Sequence, residues 1–330
     1  ATNRTNLGLG SIATLDANAY PGRNRLINGS FQVAQRGTTF SGGTDNADDT
    51  YTLDRWYVLS EGNDTIDVTQ QSDSFDSNGK SIRLDVETTG QKFGIAQIIE
   101  GQNCIGAIGN TCTVSFYAKV SNVRIDTVKA AIVAWSGTED TVTSDIISAW
   151  NADGTTPTLI TNATFENTPS DLSVTTSWAR YELSANIDTA STKNIIVFIW
   201  SDDASNPQAG DFLFLTNVQF EAGTSVATPF EHLSASVQLS LCQRYFEKIE
   251  YSIGAVAGAS SGRKTRFPYR FAVDKRANPD VIISSSSNTR CDTPLDSEIF
   301  TTSATLSASN NNTDNDDYSS QGSFTANIEL

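Results

Sequence analysis

Three tryptophans stand at the ends of apolar runs, and each is followed by polar residues that can form hydrogen bonds. An indole face stacks on the flat C–H face of a sugar ring, while Asp and Asn side chains take its hydroxyls. This pattern predicts carbohydrate contacts for Trp135, Trp150, Trp200, Asn151, Asp202 and Asp203. Tryptophan is also a frequent core residue, so the alternative that these side chains are buried stays open.

The residues available for catalysis are few. The chain has one histidine, His232, and one GxSxG string, Gly258–Gly262. A nucleophile elbow needs a strand before the serine and a helix after it, and this string lies in a run of Gly, Ala and Ser. Glycoside hydrolysis needs two carboxylates across a cleft, but the pairs Glu139-Asp140 and Asp202-Asp203 also fit solvated loop charge. We therefore predict no enzymatic activity.

The cysteines and histidine do not suggest a metal or a disulfide scaffold. Four cysteines are too few to stabilise a fold of 330 residues by disulfides, and none forms a CxxC pair. Cys104 and Cys112 flank a Gly-containing loop and are either bonded to each other or two buried thiols. With a single histidine a His/Cys zinc cluster is not expected, and we predict neither metal nor cofactor.

Charge and hydropathy exclude two classes of partner. The net charge is −16, which repels phosphate backbones and anionic lipid, so we predict no binding to nucleic acid. No apolar run approaches 18 residues, so we predict no membrane insertion. The sequence contains no Met and opens with no basic-then-apolar leader; a removed initiator and an upstream segment both stay open.

Short apolar runs separated by polar turns fill most of the chain. In Ser81–Val86, for example, Ile82, Leu84 and Val86 alternate with polar residues, as in a half-buried strand. Such runs without helices between them predict an all-β sandwich or jelly roll. The predicted strands are Thr52–Leu59, Thr65–Gln70, Lys80–Val86, Phe93–Glu100, Cys112–Lys119, Val128–Trp135, Trp178–Ile187, Asn194–Trp200 and Asp211–Phe220.

The chain divides into four predicted parts. Residues 1–22 form a stem or attachment segment, 23–232 the jelly roll, 233–250 a connecting helix, and 251–330 a smaller β-rich tip domain. The helix is predicted because apolar residues recur every four positions. It is either a connector packed on its own domain or a helix that packs around a symmetry axis through Leu233, Val237, Leu241, Tyr245 and Ile249.

The tip domain carries a basic and aromatic cluster in an otherwise acidic chain. Its members are Arg263, Lys264, Arg266, Tyr269 and Arg270, with strands predicted over Arg266–Val273, Asp280–Ser284 and Gly322–Leu330. The cluster either meets an anionic polysaccharide or pairs with acidic neighbours in an assembly.

Two sets of residues resemble known families. Asn24–Arg36 (NRLINGSFQVAQR) followed by Tyr51–Tyr57 (YTLDRWY) resembles the opening of phage tail-fibre and spike proteins. There it begins a jelly roll similar to carbohydrate-binding modules of the galactose-binding-like superfamily. Thr228–Lys248, which contains CQRYF, resembles a junction before the fibre-tip domain, and Asn6–Ala17 is similar to the stem before such domains.

The resemblance implies a homotrimer, because such fibres are three-fold. Modules of this superfamily often hold a structural calcium, but the positions that correspond to its acidic ligands are Gln32 and Thr216. Both lack the charge that calcium prefers, which puts that site in doubt.

The sequence therefore predicts a non-catalytic fibre or spike subunit on the virion surface, on a tail or a capsid, that attaches to host surface polysaccharide. Residues 1–22 would bind another virion protein. The alternatives are a carbohydrate-binding module with no viral role, a structural decoration protein that binds no glycan, and a polysaccharide depolymerase.

Overall fold

The computed structural model describes residues 22–189, 191–203, 206–255, 264–292, 294–309 and 318–330. They divide into two compact units, one ending at Leu233 and including Leu330, the other running from Ser234 to Glu329. The predicted attachment segment lies outside the described residues except for Gly22, and so does the Gly258–Gly262 string. No helix in the described part of the chain has the length and apolar character needed to cross a bilayer.

The first unit is built from thirteen strands, four of them only two or three residues long. They are β1 Thr39–Phe40, β2 Tyr57–Ser60, β3 Ile66–Gln71, β4 Ser81–Val86, β5 Phe93–Ile99, β6 Thr111–Val120, β7 Val128–Trp135, β8 Ile147–Ala149, β9 Thr158–Leu159, β10 Ala163–Phe165, β11 Ala179–Asn186, β12 Asn194–Ser201 and β13 Phe212–Ala222. A six-stranded sheet has the order β1-β3-β4-β13-β6-β11, and a five-stranded sheet the order β10-β7-β12-β5-β2. All pairings in the two sheets are antiparallel.

The main core lies between these two sheets. Alternate residues of each strand point into it: in β4, Ile82, Leu84 and Val86 are buried, while Arg83 and Asp85 face outward. β6 and β13 contribute in the same way, with Phe116 and Phe220 inside. The predicted all-β sandwich is therefore confirmed, because period-two alternation is a local property of each strand.

The five-stranded sheet is buried on its second face as well. Residues 136–162, which follow β7, lie over that face and place Val142, Ile146 and Ile147 against Phe198 and Trp200. Every residue of β7 and β12 is buried for this reason. The outer face of the six-stranded sheet is the one that carries partly exposed side chains.

The opening motif, residues 24–36, closes the sandwich at the end of β13. The Asn24 side-chain oxygen accepts the N–H of Phe220, and its amide donates to the Val218 carbonyl at 3.1 Å. A side chain at Gly29 would collide with that same carbonyl oxygen. Trp56 donates its indole N–H to the Asn28 carbonyl at 3.1 Å. Hydrogen bonds from the side chains of Asn24 and Trp56 therefore fix the backbone of the opening motif and of β13.

One predicted strand starts later than expected. Thr52–Leu59 was predicted as a strand, but Leu53 and Trp56 close a turn through a 2.8 Å backbone hydrogen bond. Arg55 has a φ of 71°, which a strand does not allow. β2 therefore begins at Tyr57.

The second unit contains a short helix and two three-stranded sheets. They comprise α1 Ala235–Gln243, β14 Phe246–Ala255, β15 Lys264–Arg270, β16 Asp280–Thr289, β17 Leu295–Ile299, β18 Ser303–Ser309 and β19 Tyr318–Asn327, in sheet orders β14-β19-β16 and β15-β18-β17. Tyr251, Ile253, Phe271, Leu306 and Phe324 form much of its core.

The predicted helix over 233–250 is wrong in extent, because α1 covers only nine residues. Leu233 precedes it, Tyr245 lies in the turn that follows, and Ile249 belongs to β14. A spacing of four residues puts side chains on one face of a helix, but it does the same in a strand, whose period is two. The spacing of four apolar residues therefore continues from α1 into β14, and the sequence pattern does not show where the helix ends.

All four cysteines are buried free thiols, so Cys104 and Cys112 form no disulfide. Cys104 contacts the Ile99 carbonyl at 3.6 Å, and Cys112 the Ala107 carbonyl at 3.5 Å. Both belong to the main core.

Candidate functional site

Two of the predicted sugar-binding residues lie in the interior. Trp200 has no exposed surface, stacks on Phe198 with ring centroids 4.5 Å apart, and directs its indole N–H toward Asp202 at 3.3 Å. Asp202 is also fully buried. The prediction that they contact sugar is wrong for this structure, since a buried ring offers no face to a ligand.

Asp202 is the centre of a buried ion triad. One carboxylate oxygen accepts from Lys92 at 2.7 Å and the other from Lys129 at 2.5 Å. Lys92 also donates to the Ala152 and Thr155 carbonyls at 2.9 and 2.8 Å. These contacts compensate the buried charges and fix the loop after Trp150 in position. The triad therefore has a structural role.

The other four predicted residues differ in their exposure and in the partners they contact. Trp135 is largely buried and donates to the Thr138 carbonyl at 2.9 Å. Trp150 is half-buried, edge-on to Phe198. Asn151 is exposed but uses its amide on Thr156 and Thr158 in its own loop. The Asp203 carboxylate accepts the Thr127 N–H at 2.9 Å, and burial raises its pKa. Contact of these four residues with sugar remains a prediction.

The Gly258–Gly262 string lies outside the described residues, and Asp140 of the Glu139-Asp140 pair has internal partners. The Asp140 carboxylate accepts from Gly101 at 2.8 Å and from the Asn194 amide at 2.6 Å.

Of the two positions that correspond to calcium ligands, Gln32 is exposed, and the buried Thr216 hydroxyl donates to the Lys80 carbonyl at 2.6 Å. Among the described residues no three His, Cys, Asp or Glu side chains are grouped as a metal would need.

The basic cluster of the tip domain is divided by strand alternation. Arg266 and Arg270 are exposed, whereas Tyr269 is half-buried and lies edge-on to Phe324 at 5.5 Å. Arg263 lies outside the described residues. The exposed arginines therefore share one face of β15, and the tyrosine belongs to the other.

A cleft of about 680 Å³ lies on the outer face of the six-stranded sheet, within the first unit. Its floor is formed by Tyr117 of β6 and Arg180 of β11, which are direct register partners. One wall is the loop between β3 and β4, and the other is the segment after β13. The lining residues are Arg23, Phe75, Asp76, Tyr117, Arg180, Asn217, Pro229, Phe230, Glu231, His232 and Leu233.

Two aromatic pairs line this cleft. Phe75 stacks on Tyr117 with centroids 3.7 Å apart and planes inclined by 16°. Phe75 is 46% exposed, an unusual position for a large apolar ring. On the opposite wall, Phe230 and His232 meet edge to face at 5.0 Å. Exposed ring faces beside polar groups suit the amphipathic surface of a sugar.

Acceptors and donors stand beside the rings. The Asp76 carboxylate accepts from the Asn217 amide at 2.5 Å and lies 3.5 Å from His232 Nε2. Asn217 reaches this position because β13 bulges between Thr216 and Gln219, which gives Asn217 a φ of 52°. The bulge thereby turns a strand residue toward the cleft.

The two carboxylates in the lining differ in accessibility. Glu231 is buried, and its oxygens accept the backbone N–H groups of Gly22 at 2.5 Å and Asn24 at 2.8 Å. Asp76 is partly exposed. Asp76 can therefore accept hydroxyl hydrogens from a ligand, whereas Glu231 joins residues 22–24 to the segment after β13.

A second aromatic and charged row adjoins the cleft. Phe214 pairs with Arg83 on one side and Lys119 on the other. Lys119 lies 5.1 Å from the Trp178 ring, and Asp73 accepts hydrogen bonds from both Lys119 and the Trp178 indole. Trp178 is half-exposed on this outer face.

Sequence reasoning missed this cleft because its members come from segments far apart in the chain. The available signals were small: Phe75 is a single aromatic in the polar turn Ser72–Gly79, and His232 is the sole histidine. Neither carries information about the other until β4, β6 and β13 align.

Comparisons with known proteins give fold-level likeness only. No family model matches the chain, and no curated protein matches it. A solved structure of the enzymatically active domain of tailspike protein 4 from bacteriophage CBA120 aligns at 17% identity and a TM-score of 0.36, covering 62% of this chain and 22% of that one. The chain thus spans about a fifth of that tailspike.

Two solved carbohydrate-binding modules align over nearly their whole length with more than half of this chain. The CBM22-1 xylan-binding domain from Paenibacillus barcinonensis is 11% identical with a TM-score of 0.33, covering 55% of this chain and 94% of the module. The C-terminal family 22 module of a Clostridium thermocellum protein is 10% identical with a TM-score of 0.35, covering 64% and 100%.

Proposed function

We propose that this chain is a non-catalytic subunit of a virion fibre or spike that binds host surface carbohydrate through the cleft of the first unit. The observation that carries the proposal is the stacked pair Phe75 and Tyr117 beside Asp76 and Asn217. An aromatic platform with convergent hydrogen-bonding groups is the ordinary composition of a sugar site. The virion setting rests on the sequence resemblance of residues 24–57 and 228–248 to phage fibres.

A trimer would make weak single sites effective, because linked copies raise the local concentration of binding groups. The second unit offers apolar surface for such assembly. Val237, Leu239 and Leu241 of α1 are 46%, 37% and 36% exposed. Val237 and Leu241 are four residues apart and lie on one face of the helix.

Binding is tested with the full chain on immobilised bacterial surface polysaccharides, using Phe75→Ala as the site variant. We expect specific binding that this variant abolishes, while Phe300→Ala, which removes an exposed phenylalanine of the second unit, leaves binding unchanged. Binding that survives Phe75→Ala would move the site elsewhere, for example to Trp135 or Trp150. Absence of binding to every polysaccharide would favour a structural decoration protein.

Light scattering tests the oligomer. The subunit is 35.5 kDa, and we expect a particle of three times that mass. Replacing Val237 and Leu241 by serine should reduce the mass to that of one chain if α1 holds the trimer. Release of oligosaccharides from a bound polymer would instead identify a depolymerase and contradict the non-catalytic assignment.

A further inference from the structure

Arg180, in the lining of the cleft, has only neutral hydrogen-bond partners among the described residues. Arg180 is half-buried on β11, and its Nη2 donates to the Ser115 hydroxyl at 3.1 Å and to the Thr228 carbonyl. Both partners are neutral. None of the ion pairs within 4.0 Å in the part of the chain that the structure describes includes Arg180.

Other cations of the first unit have carboxylate partners. Asp and Glu outnumber Lys and Arg by 38 to 22 in the chain, so carboxylates are abundant. Arg83 pairs with Asp85, Arg124 with Asp211 at 2.6 Å, and Lys119 with Asp73 at 2.5 Å. Arg180 lies on the same sheet as Arg83 and Lys119, but among the described residues no carboxylate pairs with its guanidinium.

The nearby carboxylates have other partners. Glu231 is held by the N–H groups of Gly22 and Asn24, and the Asp76 oxygen that faces His232 also accepts from Asn217. A planar guanidinium matches the two oxygens of a carboxylate, and a charge-assisted bond of this kind is stronger than a neutral one.

Arg180 lies beside the aromatic pair of the cleft. Arg180 and Tyr117 are register partners on adjacent strands, and Phe75 stacks on Tyr117. A sugar seated against this aromatic pair would bring its substituents to the guanidinium at the cleft floor. Asp76 and Asn217 on the neighbouring wall suit hydroxyl groups.

We infer that the cleft selects an acidic sugar, a uronic or nonulosonic acid residue of a polysaccharide, whose carboxylate pairs with Arg180. This rests on the proposed function, since it assigns a ligand class to that same cleft. The net charge of −16 opposes polyanions at long range, but at 0.15 M salt charges beyond about 8 Å are screened, while a contact pair is not.

The test is an array of bacterial polysaccharides on which each acidic polymer is printed beside its carboxyl-reduced counterpart and beside neutral polymers. We expect binding to acidic polymers that carboxyl reduction abolishes. Arg180→Gln should weaken that binding about 10- to 100-fold, as loss of a charge-assisted contact predicts. Arg180→Lys, which keeps the charge but not the fork, should retain part of it.

Controls separate the outcomes. Lys193→Gln removes an exposed cation at the start of β12 and should leave binding unchanged. Thermal melting shows whether Arg180→Gln is folded, and the carboxyl-reduced polymers test the inference on the unaltered protein in any case. Equal binding to reduced or neutral polymers would overturn the acidic-sugar inference and leave the glycan-binding proposal standing. Binding to no polymer would overturn both.

Discussion

The ring of Phe75, in the loop between β3 and β4, stacks on the ring of Tyr117 in β6, with centroids 3.7 Å apart. The pair joins a loop to the sheet and leaves an aromatic surface in the cleft. We expect ligand binding in the cleft to depend on this pair.

Removing the Phe75 ring should impair ligand binding more than folding. Phe75→Ala deletes a ring that is 46% exposed, so the free energy of unfolding should change by no more than about 1 kcal/mol. Tyr117→Phe removes only the hydroxyl and should bind almost normally if stacking is the main contribution. Calorimetric titration with a polysaccharide hit, together with urea unfolding, checks both. A Phe75→Ala protein that binds normally would contradict the role of the pair.

The buried ion triad should be essential to stability. Asp202→Asn leaves the Lys92 and Lys129 ammonium groups buried with reduced compensation, and we expect a loss of about 3–5 kcal/mol in the free energy of unfolding. Lys92→Met should cost a similar amount, because the Ala152 and Thr155 carbonyls lose their donor. Urea unfolding measures both, with the exposed Lys193→Met as the matched control. Changes below about 1 kcal/mol would contradict a structural role for the triad.

Stability should rise as the pH is lowered from 7.5 toward 5. Burial, with the nearby Asp145 and Asp49, raises the pKa of Asp48 from 3.8 to about 6. A carboxyl whose pKa is higher in the folded state binds its proton more tightly there than in the unfolded chain. The stability that this proton binding adds to the fold is complete below pH 3.8 and is lost as the pH rises past 6. Asp67, whose pKa is also raised by burial to about 6, acts in the same direction.

The matched variant is Asp48→Asn, whose amide oxygen can still accept the Ser60 N–H that Asp48 holds at 2.7 Å. It should be more stable than the parent at pH 7.5, and its melting temperature should change less between pH 5 and 7.5. An unchanged slope would show that Asp48 does not titrate in this range.

The thiols should be unreactive in the folded protein. All four cysteines are buried, and burial raises the pKa of Cys104 to about 12, so thiolate is scarce at neutral pH. A chromogenic thiol reagent should label none in native buffer and four in 6 M guanidinium without reductant. Two labelled thiols under denaturing conditions would instead indicate a disulfide.

Much of the architecture could be predicted from sequence because it depends on neighbours in the chain. Alternation in Ser81–Val86 and the apolar run of β12 identify strands without knowledge of the fold. The predicted helix failed at Tyr245 and Ile249, where a spacing of four is common to helix and strand. Only pairing of β14 with β19 decides between the two.

The site depended on contacts that sequence does not contain. Trp200 looked available because polar residues follow it, but residues 136–162 lie over its sheet and bury it. The cleft joins Arg23, Phe75, Tyr117, Arg180 and His232, which span more than two hundred positions. The sequence by itself determined the β class, the acidic surface and the polar turns, because these are properties of composition and short-range pattern. Tertiary structure alone decided which aromatic rings face solvent together, because sheet order and register bring distant segments onto one face.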